Sequence, residues 1–119
     1  MSKFKDRELT NRELTVLKTA IMQIVMFTPN NSQEKIIHDG LKAVQEQLNN
    51  KEISNLSHLV SNSQYLVPAL QKYNDRLLEW IRESYTEQEK DEYRPNLHCC
   101  NSLWRTLKDA FYELYGVSL

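Results

Sequence analysis

The chain has 119 residues, 40% of them hydrophobic and 26% charged, with a formal net charge of −1. That length suffices for one domain to bury a core without disulfides or metal, and the near-neutral balance excludes a strong electrostatic footprint for nucleic acid. No apolar run approaches the ~20 residues of a membrane span, and residues 1–10 lack the apolar stretch of a signal peptide.

Residues 1–9 read as an N-terminal segment, and residues 10–119 as a single helical domain. The first helix starts at Thr10, which can cap, with Glu13 three residues on to complete a capping box. Leu9 and Leu14 are placed as a hydrophobic staple across that cap. Leu14, Leu17, Ile21, Ile24 and Val25 then share one face. The later half, "IMQIVMF", is apolar on more than one side: Met22 and Met26 flank the stripe on one edge, Ala20 and Phe27 on the other. Pro29 ends the helix.

A second helix begins at Asn31 or Ser32. Ile37, Leu41, Val44 and Leu48 form its stripe, with Ile36, Gly40 and Ala43 beside it. Glycine inside a helix costs about 1 kcal/mol against alanine, and close approach of a neighbouring backbone is the expected return at Gly40. Asn49 and Asn50 close this helix. Residues 53–62 are serine-rich, with Leu56, Leu59 and Val60 at helical spacing, and read as a short helix or turn.

Pro68 suits the first turn of a long helix, with Leu70, Tyr73, Leu77, Trp80, Ile81 and Ser84 facing inward. "TEQEKDEYR" has a capping box in Thr86 and Glu89 but almost no apolar content. It reads as a short solvated helix or a continuation of the one before, broken at Pro95. Asn96 then caps the last helix, whose stripe is Leu97, Cys100, Leu103, Trp104, Leu107, Phe111 and Leu114, and Gly116 stands just past its end. With two glycines in the whole chain, hairpins and barrels that depend on positive φ are disfavoured. The expectation is an all-α fold: a compact antiparallel bundle of four main helices plus one or two short ones.

The stretch "NLHCCNSLW" carries the residues that invite a chemical reading. Successive helical residues stand about 100° apart. Cys100 therefore falls within the apolar stripe, His98 points nearly opposite, and Cys99 lies at the margin as the candidate exposed thiol. His98 and Cys100 diverge, whereas zinc ligands must converge. A start at Asn96 would place Cys99 in the first turn, where backbone N–H groups favour a thiolate, but no general base is in reach. The two adjacent cysteines make no spaced disulfide framework and point to a reducing, cytoplasmic setting.

Other chemistry finds little footing. Arg94 and His98 are separated by three residues including Pro95, which does not match the wider spacing of helical ribonucleases. Glu89 and Glu92 supply one carboxylate pair, without the second pair that a helical magnesium enzyme needs. Glycine-rich phosphate loops and serine elbows are missing. Nothing in the sequence implies a cofactor or a metal. Lys3, Lys5, Arg7, Arg12 and Lys18 make the N-terminus mildly basic, while residues 86–119 carry four basic and six acidic residues.

The function these features favour is non-enzymatic: a helical protein acting by protein–protein binding, as an inhibitor, immunity factor, adaptor or structural subunit. Its candidate contact surface is Met22, Met26 and Phe27, with a homodimer as the first partner to test. The rival readings are a small helical enzyme or ligand-binding bundle with a pocket near Cys99 and Trp104, and a nucleic-acid binder using the basic N-terminus. Thr10→Ala should lower stability by about 1 kcal/mol, read as a reduced urea midpoint with unchanged helix content.

Overall fold

The computed structural model describes residues 5–119. Among them are four long helices and one short one: α1 (Asn11–Val25), α2 (Ser32–Asn49), α3 (Ser57–Val60), α4 (Ser63–Glu83) and α5 (Glu87–Tyr115). They pack into a compact all-α bundle. None is long and apolar enough to cross a membrane.

α4 and α5 form the framework. Only Ser84, Tyr85 and Thr86 join them, so the two helices fold back as an antiparallel hairpin. Contacts along the seam fix its register. Trp80 meets Tyr93 with ring centroids 5.6 Å apart, and the Cys100 thiol donates to the Leu70 carbonyl at 3.0 Å. Along the same hairpin Leu66, Leu70 and Leu77 of α4 and Leu103 and Leu107 of α5 are buried.

This seam overturns the expected break at Pro95. α5 is one continuous helix with Pro95 inside it, and Asn96 is no cap. An interior proline costs about 3 kcal/mol. Burying one large apolar side chain returns about 2 kcal/mol, and α5 is anchored on α4 on both sides of the proline, by Tyr93 before it and Cys100 after it. Thr86 is the true cap, its hydroxyl accepting from the Glu89 N–H at 3.1 Å. The Glu89 carboxylate accepts from Tyr85 N–H instead of closing the box on Thr86. At the far end Gly116 takes the left-handed conformation, φ 71°, and its N–H reaches the Tyr112 carbonyl. Leu114, expected on the inner stripe, is 52% exposed, because the core ends at Ala110 and Phe111.

α4 also begins earlier than Pro68 suggests. It starts at Ser63, whose buried hydroxyl donates to the Val60 carbonyl at 2.7 Å, and Pro68 sits exposed in its second turn. The reason lies in residues 53–60. Ile53, Leu56, Leu59 and Val60 are all buried, so this short segment forms part of the core and delivers the chain directly into α4.

α1 lies across the hairpin. At its start the Arg12 guanidinium donates to the Asn96 side chain of α5 at 3.0 Å. At its end Ile24 shares a pocket with Pro68 and Lys72 of α4. Its buried face is Val16, Leu17, Ala20 and Ile21. Ala20 is therefore core and not flank, since α1 must serve both hairpin helices and its buried arc is turned toward that side. α2 returns beside it: the buried His38 ring donates from Nε2 to the Val25 carbonyl, 3.0 Å away, and so satisfies an end of α1. Asn31 caps α2.

Gly40 answers to a side chain, not to a neighbouring backbone. A Cβ built there would stand 2.7 Å from Cγ, Cδ1 and Cδ2 of Tyr65, so the ring of α4 lies flat on the glycine of α2.

The chain before α1 is strapped to the bundle. Leu9 N–H donates to the Ser54 carbonyl, and Leu56 N–H to the Arg7 carbonyl, both at 2.8 Å. The Asp6 carboxylate accepts from the Ser57 N–H and hydroxyl, each at 2.9 Å, and so caps α3 from outside. Arg7 forms a two-pronged pair with Glu13 at 2.7 and 2.8 Å. Glu13 also closes the Thr10 capping box as the sequence predicts. Arg7, with the Thr10 N–H, holds the buried Glu13 carboxyl below the usual carboxylate range. Hydrogen bonds from Ser57 likewise lower Asp6. Lys3, one of the basic residues of the N-terminus, lies outside the described residues.

Two outcomes follow from this packing. Gly40→Ala should destabilise the protein by about 1–3 kcal/mol through overpacking against Tyr65. The same change in a Tyr65→Ala background should instead stabilise, since helix propensity then acts alone; a double-mutant cycle by urea unfolding reads the reversal of sign. The second concerns acid. A carboxyl whose folded pKa is lowered contributes stability above its unfolded pKa, and loses it as pH falls through about 4.5 to the folded value. Glu13→Gln should cost about 1–2 kcal/mol at pH 7, and the gap between variant and parent should close as the pH is taken below that window.

Candidate functional site

The concave surfaces and the exposed apolar side chains define where this bundle can engage something else. Met22 on α1 and Met26, the residue that caps its end, are 54% and 66% exposed, although Val16, Leu17, Ala20 and Ile21 of the same helix are buried. Phe27 is 57% exposed, but it lies past the end of α1, in the turn to α2, and not on the helix flank where the sequence pattern put it. The three cluster at one end of α1. Ile36, near the start of α2, is a further exposed apolar residue that the pattern had assigned beside the buried stripe.

Beside Phe27 is a pocket of about 470 Å³. Ile24, Phe27, Ile37 and Pro68 supply apolar walls, and Thr28, Asn30, Glu34, His38 and Lys72 supply polar atoms. α1, α2 and α4 each contribute, and Pro29 holds the turn between the first two. The sequence gives no direct sign of this pocket, since residues 24, 37 and 68 meet only through the crossing of α1 over α4.

A second, wider groove lies at the other end of the molecule, between the N-terminal strap and the end of α5. Its lining mixes signs, with Lys5, Arg7 and Lys108 against Asp109 and Glu113, and Tyr112 among them. The Arg7 charge is already matched by Glu13. This groove therefore offers no single-signed field to a phosphate backbone.

The cysteine pair is resolved by burial. Cys100 is fully buried, and its thiol is pushed up to about 12, chiefly by that burial. Cys99 is half-buried against the core and is mid-helix, so the first-turn amides expected to favour its thiolate are not there. Burial first, and the nearby Glu13 charge second, push its thiol up. His98 is exposed on the opposite side. Trp104 is half-buried, with the Arg105 guanidinium 5.5 Å over its ring. Neither Cys99 nor Trp104 lines the pocket or the groove.

The remaining histidines are occupied structurally. His38 is tied to Val25, and His58 Nδ1 accepts from the N–H groups of Ser54 and Asn55 at 3.2 and 3.3 Å. Among the described residues no three His, Cys, Asp or Glu side chains converge as metal ligands do. The acidic run at the start of α5 is engaged locally, Arg94 pairing with Asp91 and with Glu87. Compared with known protein families, curated proteins and solved structures, the chain matches none.

Proposed function

We propose that this chain is a non-enzymatic binding protein of the cytoplasm that engages a protein partner through the end of α1. The observation that carries this reading is the exposure of Met22, Met26 and Phe27 beside a pocket, on a helix whose other face is saturated with core contacts. Methionine adapts to varied partners, and aromatic and methionine side chains are enriched at contact surfaces. The titratable groups support it too. Asp6, Arg7, Glu13, His38, His58 and Cys100 are each spent on caps, pairs or carbonyls that hold the fold. The unbridged cysteines suit a reducing compartment.

A second copy is the first partner to test, because Met22 and Met26 would meet their own equivalents across a twofold axis. Sedimentation of the pure protein at micromolar concentrations, together with capture from source cells, reads both cases. Met26→Glu should weaken the complex so found by roughly a hundredfold, since a charge would be buried without a partner. Its circular dichroism should match the parent, because the position is exposed. A complex that survives Met26→Glu unchanged refutes this surface.

A further inference from the structure

α4 turns a charged face to solvent. Lys72, Asp75, Glu79, Arg82 and Glu83 are exposed, and Arg76 is half-buried. At about 100° per residue these side chains leave the helix within an arc of about 120°. Of the large apolar side chains of α4 only Leu78 is exposed, at 40%, and its position falls beside one margin of that arc. Leu78 and the charges from Lys72 to Arg82 border a single depression of about 420 Å³.

These charges form no ion pair and no side-chain hydrogen bond among the described residues. Their spacing does little for the helix itself. Lys72 and Arg76, Asp75 and Glu79, and Glu79 and Glu83 are like charges four residues apart, which repel along a helix. Opposite charges three apart, such as Arg76 and Glu79, stand unpaired.

The order of signs is self-complementary about Leu78. A second copy laid antiparallel on this face, with a twofold axis at Leu78, reverses the residue order and keeps the two margins of the face in place. Asp75, three positions before the axis, then comes opposite Arg82 of the second copy, four positions after it. Arg76, two before, meets Glu79, one after. Lys72, six before, meets Glu83, five after. Each offset is one residue, about 1.5 Å of helix rise, well within the reach of these side chains. The partners also share a side of the face. Asp75 and Arg82 lie near its middle, and the other two pairs lie on the side away from Leu78. A parallel copy would set each charge level with itself.

We propose that this face of α4 is a self-association surface. A second copy of the chain packs on it antiparallel, with Leu78 at the twofold axis and Asp75–Arg82, Arg76–Glu79 and Lys72–Glu83 paired across it. Symmetry makes each pair twice. Lys72 also borders the pocket beside Phe27 together with Glu34, so the inner two pairs set the register. The proposal uses none of the α1 residues and stands apart from the reading of that surface. A contact between two exposed helices is small and polar, so the dimer is weak and salt-dependent.

Sedimentation of the full chain in about 0.05 M salt should show a monomer–dimer equilibrium with a dissociation constant on the order of 100 micromolar, weakened roughly tenfold in about 0.5 M salt. Asp75→Arg and Arg82→Glu each bring like charges together at two places. Each should weaken self-association at least roughly tenfold, with the circular dichroism of the parent, since both positions are exposed. Mixed in equal amounts, the two variants should pair with each other about as tightly as the parent does with itself, because every contact across the axis is again of opposite sign. Leu78→Lys, which sets two cations on the axis, should also dissociate the dimer. Met26→Glu should leave this equilibrium unchanged.

A parent that stays monomeric at about 1 millimolar in low salt overturns the proposal. So does a mixture of the two charge variants that associates no better than either alone. A dimer that Met26→Glu dissociates and the charge variants leave intact overturns it as well, and moves self-association to the end of α1. If the mixture pairs while Met26→Glu changes no complex, the α1 surface fails and the α4 surface stands.

Discussion

The packing of α5 on α4 is the constraint on which the rest of the molecule depends. It joins two long helices through a turn of three residues, Ser84 to Thr86, and leaves Leu66, Leu70, Leu77, Leu103 and Leu107 essentially without solvent contact. The seam carries α5 straight through Pro95, because contacts on either side outweigh one lost backbone hydrogen bond. It also fixes the fate of the cysteines. A break at Pro95 would have put Cys99 at a helix start; continuity puts it mid-helix against the core and seals Cys100 on the Leu70 carbonyl.

The polar residues nearest the core act mainly as caps and fasteners. Glu13 serves α1, the Thr10 backbone and Arg7 at once. Asp6 supplies the cap that α3 lacks in its own sequence, where Leu56 occupies the capping position. His38 finishes α1 from α2. Each removes an unpaired backbone group from the end of a helix, a cost otherwise met by water.

The surface of the molecule is uneven. The strap and the wider groove present mixed charge, while the end of α1 presents methionine and phenylalanine next to a pocket with apolar walls and a few polar groups, Glu34, His38 and Lys72 among them. α1 buries the arc of Val16, Leu17, Ala20 and Ile21 that faces its neighbours, and at its end Ile24 and Val25 pack half-buried against the core. Surplus apolar residues in "IMQIVMF" therefore remain outside, as its patterning anticipated for Met22 and Met26.

Sequence alone determined whatever local chemistry dictates. The Thr10–Glu13 box, the left-handed Gly116 and the helical phase of Leu41, Val44, Leu48, Cys100, Leu103 and Leu107 are set by spacings of three or four residues, and the structure has them so, with Asn31 chosen over Ser32 as the cap of α2. Tertiary structure decided whatever depends on a neighbour from elsewhere in the chain. Pro95 and Pro68 lie inside helices because hairpin packing exceeds their local cost. Ile53, Leu56, Leu59 and Val60 are core, although their serine-rich segment reads only as a short helix or turn, because the strap and α4 close over them. Gly40 exists for the Tyr65 ring, and the pocket for a crossing of α1 over α4, contacts that no short-range pattern encodes. Propensity and capping act within a turn or two of helix. Burial sums over the whole molecule, and where the two disagreed burial prevailed.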